Sequence, residues 1–506
     1  MSLQFDLPAH LSAEKLIAEL SKHVSIQQDA RYYAIKTYYD SFDWRLYNNA
    51  IICEFNRSKS ASTLQLKNLD HANLIAIADL KEVPDFSHQF QNDTLRTILA
   101  PLLEMRALTP IVTLDYTVYP LSIINEDGKT VLRLSVEAHE LLANRVSLQP
   151  VKGYEKDLAH CLSLFQQLDV EPTHKPLLLA ALKLQGRKPN DYSSKITINL
   201  AADMRADIAA KYIYSHLLKA IKDNEQGTIA NTDSEFLHDF RVAVRRTRAG
   251  LSQLKGVLPE ETNAYFAAFF SWLGQITGPT RDLDVYLLSF ADYKTSLPAT
   301  MQDDLDPLYE FLLAKQQKAQ QELAKKLRTP PYLSKMSEWE SFLKAQAPFN
   351  PIEYPAKLTI KQVADRRLWK NYKRVLKEGN AITDASPHEA LHELRKSCKK
   401  LRYLMEFFQS LYPEKAIRHF IKNLKGLQEV LGAFQDCSVQ EQTLKQFSEE
   451  MLSHHVHANT LLAMGVLIQN LDTHRNQVRE EFADRFNTFK HEENHTAFKE
   501  LLAVQD

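Results

Sequence analysis

Cysteine is scarce and scattered: Cys53, Cys161, Cys398 and Cys437 are the only four, and no Cys-x-x-Cys pair occurs. That spacing suggests neither a zinc site nor a disulfide framework, and it fits a reducing compartment. Glycine is sparse too, 12 residues in 506, and no glycine-rich phosphate loop is present. No apolar run approaches the roughly 18 residues of a membrane span. The start, from Met1 to Pro8, lacks a basic segment followed by an apolar one. A cytoplasmic protein that makes no membrane contact is the expectation. An excess of either charge is also missing: 62 Lys and Arg against 63 Asp and Glu leave a net charge of -1. This excludes a uniformly basic nucleic-acid coat, but it says nothing against local patches.

What is present is the composition of a folded chain, 44% hydrophobic and 25% charged, long enough for two or three domains. The texture changes along it. Before the middle, β-rich runs fall at residues 32–39, 50–55, 63–66, 111–119 and 131–137, and Asn125-Glu-Asp-Gly128 supplies hairpin turn chemistry between the last two. A helical stretch near 155–168 follows, and then a polar, turn-rich linker at 186–194. From about residue 200 long segments of 3.6 period dominate. Prolines 330, 331, 348, 351 and 355 divide this half into two similar lengths, which prompts a search for a repeat.

The repeat is there. Leu237-His-Asp-Phe-Arg-Val-Ala-Val-Arg-Arg-Thr-Arg248 aligns without a gap on Leu391-His-Glu-Leu-Arg-Lys-Ser-Cys-Lys-Lys-Leu-Arg402. The separation from His238 to Asp282 in Gly278-Pro-Thr-Arg-Asp282 equals that from His392 to Asp436 in Gly432-Ala-Phe-Gln-Asp436, so two signatures keep one register. At 100° per residue His238, Arg241, Arg245 and Arg248 share a helix face, as do His392, Arg395, Lys399 and Arg402. Phe240, Val244 and Leu251 lie roughly opposite, matched by Leu394, Cys398 and Met405, so each helix can pack inward and show cations outward.

Such stripes are often no more than solvated helix faces. Two in register, each with like charges at i,i+4 and few acids to cancel them, ask for an anion instead. Arg forks, Lys point charges and a histidine N–H all suit phosphate oxygens, and a linear polyanion would use every rung. Asp239, Glu393, Asp282, Asp284 and Asp436 read as orienting partners or caps, since isolated carboxylates do not make a hydrolase. His454, His455 and His457 lack the supporting ligands of a metal site. Trp44, Trp272, Trp339 and Trp369 are scattered and read as core.

The two repeats resemble the CHAD family, the conserved histidine α-helical domain, over roughly residues 200–490, including Gly278-Pro-Thr-Arg-Asp-Leu-Asp-Val285 and Leu424-Lys-Gly-Leu-Gln-Glu-Val-Leu-Gly432. The resemblance implies two pseudo-symmetric four-helix bundles with basic side chains lining a groove or pore that binds inorganic polyphosphate without catalysis. Carried over by motif, the contacts are His238, Arg241, Arg245, Arg246, Arg248, His392, Arg395, Lys396, Lys399, Lys400 and Arg402, with Lys422 and Lys425 as additions. Lys422 and Lys425 have Ala268 and Ser271 at their places in the first repeat, and Arg281 has Gln435 in the second, which leaves no symmetric role for it.

The first part is similar to the CYTH, or triphosphate tunnel, family in Tyr38-Tyr-Asp-Ser-Phe-Asp-Trp-Arg-Leu46, Leu64-Gln-Leu-Lys67, Asn125-Glu-Asp-Gly-Lys-Thr130 and Gly153-Tyr-Glu-Lys156. Active members open with an alternating Glu-x-Glu-x-Lys strand that holds Mg²⁺ and triphosphate in a barrel. Ser2-Leu-Gln-Phe-Asp6 keeps none of it; Arg57 and Lys67 remain as remnants, and Glu137 as a lone candidate carboxylate.

The sequence therefore predicts an α+β multidomain protein. An antiparallel β tunnel-like domain with helices occupies 1–190 and is degenerate. An all-α domain occupies 200–500, with repeats at about 200–345 and 356–490. Inorganic polyphosphate is the expected partner, nucleic acid is disfavoured by the lack of a recognisable motif, and no catalytic residue, metal or cofactor is expected. Polyphosphate granules are the place of association to look for in the cytoplasm. The competing reading is a divergent Mg²⁺-dependent triphosphatase or polyphosphatase acting through the first domain.

Overall fold

A computed structural model describes residues 3–71, 73–194, 197–348, 351–352, 354–383, 385–453 and 455–502; Ser2 and His454 lie outside them. The chain divides into a unit ending at Ser194 and one beginning at Lys195.

In the first unit, strands with alternating burial assemble one antiparallel sheet. They are β1 (Leu3–Asp6), β2 (Ser25–Gln28), β3 (Tyr32–Asp40), β4 (Ile51–Ser58), β5 (Ser62–Asn68), β6 (Leu74–Asp79), β7 (Thr109–Ile124), β8 (Thr130–His139), β9 (Arg145–Pro150) and β10 (Glu171–Pro172). Their order is β10-β1-β9-β8-β7-β3-β4-β5-β6, with β2 added on β7, and β10 and β6 stand as the edges of a half-barrel. The Asn125 turn forms as its residues require: Gly128 has φ 74°, and its N–H donates to Asn125 O. The five β-rich runs are the central strands. The strands β1, β2, β6, β9 and β10 are missed because they are short, or, in Leu74-Ile-Ala-Ile-Ala78, continuously apolar rather than alternating.

Helices α1 (Ala13–Leu20), α2 (Arg45–Asn48), α3 (Asp93–Leu103), α4 (Glu155–Gln167) and α5 (Leu177–Leu184) cover the sheet. Leu16 and Leu20 of α1 join Leu132, Leu134 and Phe165 in one core; Leu95, Leu99 and Leu103 of α3 join Leu64 and Leu66 in another. The outer face of the sheet is thereby apolar and covered.

The second unit is helical: α6 (Ala206–Ala230), α7 (Ser234–Gln253), α8 (Glu260–Ile276), α9 (Gly278–Leu288), α10 (Phe290–Thr295), α11 (Asp306–Leu327), α12 (Pro330–Lys344), α13 (Tyr354–Lys357), α14 (Ile360–Asn380), α15 (His388–Phe408), α16 (Glu414–Ser453), α17 (Ala458–Lys490) and α18 (Glu492–Leu501). The starts of α6, α7 and α8 correspond to those of α14, α15 and α16 by the same separation that relates His238 to His392. Two pseudo-symmetric bundles result.

One difference between the bundles has a local cause. Pro279 has no N–H and its ring crowds the preceding turn, so the first repeat breaks into α8 and α9, whereas Ala433 at that place lets α16 run through 40 residues. Pro330 and Pro331 do not end the first repeat; they occupy the first turn of α12, where no intrahelical donor is needed. The expected inward faces are real: Phe240, Val244, Leu251, Leu394, Cys398 and Met405 are all fully buried. They sit in one core shared by both repeats, and a second shared core joins Leu283, Tyr286 and Leu312 to Leu444, Phe447 and Leu467. The boundary between the repeats is thus one of sequence, not of cores.

Candidate functional site

Helices α7 and α15 pack against each other, so their basic faces meet. His238, Arg241 and Arg245 from α7 and His392, Arg395 and Lys399 from α15 line one cavity of about 490 Å³. Its other walls are Arg281, Asp282, Val285 and Tyr286 of α9 and Gln435, Asp436, Val439 and Gln440 of α16. Five permanent or near-permanent cations therefore face two carboxylates. The cavity uses positions i, i+3 and i+7 of each stripe, the three that fall within about 60° of helix face.

Arg241 is held from below. Its Nη1 donates to Gly274 O at 3.1 Å and to Thr277 Oγ1 at 2.8 Å, at the carbonyl-rich end of α8, where a cation is favoured. Burial pushes this guanidinium down to about 10, Asp282 opposes the shift, and Arg245, Arg281 and Arg248 add to it; it remains charged at neutral pH. Burial also pushes the Asp282 carboxyl up, against the pull of Arg241, Arg281 and Arg245. Arg395 reaches Asp436 Oδ1 at 3.3 Å.

Arg245 and Lys399 are different. Neither has a hydrogen-bond or ion-pair partner among the described residues, and Arg245 Nε is buried. Lys399 is pulled down to about 8 by burial first, then by Arg395 and by Arg245 from the opposite repeat. A half-buried cation that its neighbours discourage from holding its proton is a place where an anion is electrostatically wanted.

Both histidines touch the residue forty-three positions on. Arg281 Nη2 lies 2.9 Å from His238 Nδ1, and Arg281 is itself backed by Ser234 O at 3.2 Å and Glu235 at 3.7 Å. Gln435 Oε1 lies 2.7 Å from His392 Nδ1. Glu235, His238 and Asp239 bring ligand atoms within 4.8 Å of one another, but the guanidinium already stands on the imidazole and supplies the positive charge a metal would bring. A second cavity, about 510 Å³, adjoins the first through His392, Gln435 and Val439 and extends to Arg475 of α17. Its Glu389, Glu393 and Glu441 outnumber Lys445 and Arg475, so it does not favour an anion.

The other candidate cations do not line the central cavity. Arg246 pairs with Glu406 at 2.8 Å, and Arg402 approaches the same carboxylate at 3.4 Å. Lys396 pairs with Glu393, and Lys425 with Glu429 at 3.8 Å. Arg248 is exposed, with Nη1 so near Gly274 that a methyl there would sit 2.8 Å away. Lys400 is half-buried and Lys422 exposed. Of the acids, Asp436 and Glu393 act as partners to cations, while Asp284 is buried and accepts from Gln316 Nε2 at 2.8 Å. Trp44 and Trp339 are core; Trp272 is 37% exposed. Arg281 and Gln435 are the cavity residues that sequence reasoning set aside, because their mismatch concealed that both touch a histidine.

On the sheet, period two and the register bring Asp6, Lys36, Glu54, Lys67, Glu137, His139 and Arg145 to one face. They are paired: Asp6 with Arg145 at 2.8 Å, Glu137 with Lys36 at 2.9 Å and His139 at 3.5 Å, and Glu54 with Lys67. Burial raises the carboxyls of Glu54 and Glu137, yet Lys36 beside both brings each below the usual range. Lys36 answers in kind: burial lowers it, and the two carboxylates lift it well above an ordinary lysine. Glu137 is therefore not a lone carboxylate. Arg57 is exposed and opposes Ile35, one position out of phase with this face, so it is no remnant of the interior. Lys36 and Glu54 were legible only as polar residues at buried phases of their strands.

Residues 213–445 match the family model of the CHAD domain. Among solved structures the chain is similar to the CHAD domain from the plant Ricinus communis, at 24% identity and a TM-score of 0.46 over 62% of this chain and 96% of that one. It is also similar to PptA from Streptomyces chartreusis, at 14% identity and a TM-score of 0.44 over 56% and 99%. A putative adenylyl cyclase from Hippeastrum, described as having a dominant triphosphatase activity, aligns over 38% of this chain and 99% of its own at 10% identity and a TM-score of 0.28. No curated protein matches the chain.

Proposed function

With a CHAD domain at residues 213–445 as the premise, we propose that this chain binds inorganic polyphosphate, without hydrolysing it, in the cavity between α7, α9, α15 and α16. The observation that carries the reading is the Arg245 and Lys399 pair: cations from opposite repeats, in one cavity, with no partner among the described residues. Phosphate oxygens compensate both, and each charge-assisted hydrogen bond contributes about 1.5–3 kcal/mol. His238, Arg241, His392 and Arg395 complete the contact set. Arg246, Arg248, Lys396, Lys400, Arg402, Lys422 and Lys425 serve as charges that attract the polyanion at a distance.

A nucleic acid would need platforms for its bases, and Tyr286 is the sole Phe, Tyr or Trp among the cavity residues. In the sheet unit, Asp6, Glu54 and Glu137 are each held by a cation, and carboxylates so engaged are poor Mg²⁺ ligands. That supports a tunnel-like domain which no longer hydrolyses triphosphate. Among the described residues no helix is long and apolar enough to cross a membrane. Association with polyphosphate granules in the cytoplasm belongs to the same proposal.

The test is a titration of the full chain with long-chain polyphosphate and with triphosphate, with DNA and RNA as competitors at equal phosphate concentration, beside a Mg²⁺-dependent phosphate-release assay. Long-chain binding without release supports the reading. Equal competition by nucleic acid replaces it with a general nucleic-acid-binding reading, and metal-dependent release replaces it with the enzyme.

A further inference from the structure

The two histidines of the cavity occupy equivalent places in the repeats but have unlike partners. Arg281 Nη2 is 2.9 Å from His238 Nδ1. A guanidinium can only donate, so Nδ1 of His238 must accept, and the ring hydrogen is on Nε2. Adding a proton to Nδ1 would set two donors and two positive charges against each other at that distance. In the second repeat Gln435 Oε1 is 2.7 Å from His392 Nδ1. An imidazolium Nδ1–H donates to that oxygen as well as a neutral one does.

We propose that Arg281 and Gln435 are positioning residues that assign different protonation roles to the two histidines: Arg281 holds His238 as a neutral Nε2–H donor, whereas Gln435 lets His392 take up a proton when a polyanion enters the cavity. The polyanion arm rests on the polyphosphate reading. The charge balance gives the reason. Arg281 with a neutral His238 carries one positive charge; Gln435 with a neutral His392 carries none, and one proton makes the two half-sites equal.

The surroundings of His392 act in both directions. On α15 stand His388, Glu389, Glu393, Arg395, Lys396 and Lys399, on α16 Asp436, Glu441 and Lys445, and on α17 Arg475. Across the cavity stand His238, Arg241 and Arg245 of α7 with Arg281 and Asp282 of α9. Cations stand on the cavity side of His392 and carboxylates on its other flank, and a bound polyanion screens the cations. His238 is faced by Glu235 and Asp239 on its own helix and by Arg281 and Asp282 on α9, with Arg395, Lys399 and Asp436 across the cavity.

The experiment is imidazole ¹⁵N spectroscopy of the full chain with labelled histidine, the two rings assigned by their loss in His238→Gln and His392→Gln. The wild-type protein is read at neutral pH before and after saturation with long-chain polyphosphate. His238 Nδ1 should show the shift of a lone-pair nitrogen in both states, and His392 should convert to imidazolium on saturation. Gln435→Arg should hold His392 neutral when bound, and Arg281→Gln should allow His238 to protonate. A hydrogen on His238 Nδ1 in the wild type, or a His392 still neutral at saturation, overturns the proposal. If polyphosphate moves neither ring and does not bind, the polyphosphate reading fails by itself. Acidifying the free protein then decides the assignment: His392 must gain its proton before His238, and the reverse order overturns it.

Discussion

Arg246 of the first repeat is ion-paired with Glu406 of the second at 2.8 Å, with both side chains mostly buried. A residue that reads from sequence as a phosphate ligand is thus held by a carboxylate 160 positions away. The same carboxylate approaches Arg402, so Glu406 ties the two basic helices together where they would otherwise repel.

Removing that tie separates stability from binding. Arg246→Met should lower stability by about 1–3 kcal/mol, between the values for exposed and buried pairs, while polyphosphate affinity changes little. Glu406→Gln should also destabilise but should tighten binding, because a compensating negative charge is lost. Thermal melts paired with titrations check both; an Arg246→Met variant that binds as weakly as a cavity variant would contradict the assignment.

The cavity pair should behave in the opposite way. Arg245→Met or Lys399→Met keeps the apolar stem and removes an uncompensated charge. Affinity for long chains should fall roughly 10- to 100-fold, the equivalent of one charged hydrogen bond, and the salt dependence should become shallower. The melting temperature should hold or rise. A loss of stability comparable to that of Arg246→Met would mean the pair is structural.

Lys399, pulled down to about 8, also makes binding pH-dependent. A bound polyanion favours the ammonium, so the part of the affinity that Lys399 contributes should be full below pH 8 and decline as pH rises through and above 8; Lys399→Arg should flatten that part of the profile. The stability of the empty protein runs the other way. The folded-state value lies below that of an unfolded lysine, so the charged form is penalised in the fold, and this contribution improves as pH rises from 8 towards the unfolded value of about 10.4. Titrations and melts across that window measure the two opposite slopes.

In the sheet unit, Lys36 stands buried between Glu137 and Glu54. Lys36→Met leaves buried carboxylates without their shared cation and should destabilise the unit by about 3–5 kcal/mol. Because both carboxyls are held below their unfolded values, their contribution is present above about pH 4.3 and is lost as pH falls below it. Acid titration followed by the near-ultraviolet signal of the unit checks this; a variant as acid-stable as the wild type would refute the pairing of Lys36 with the two carboxylates.

The legible part of the fold was the periodic part. Long 3.6-period segments became the helices, and β3, β4, β5, β7 and β8 emerged from alternation and turn chemistry. Short strands carry too few periods to read, and β6 lacks alternation altogether. Pro330 and Pro331 stand where α11 has ended and α12 begins, because proline breaks a helix interior yet suits its first turn.

By itself the sequence determined the repeat, the register of its helices, and the face of each that carries His238, Arg241 and Arg245 or His392, Arg395 and Lys399. These are local properties, set by spacing along one helix. The tertiary structure alone decided which charges meet. It placed Arg245 opposite Lys399, cancelled Arg246 with Glu406, gave His238 an arginine and His392 a glutamine, and closed the inner face of the sheet into ion pairs. The physical reason is that electrostatic interaction depends on separation and burial in space, and no periodicity along the chain reports the distance between side chains on different elements.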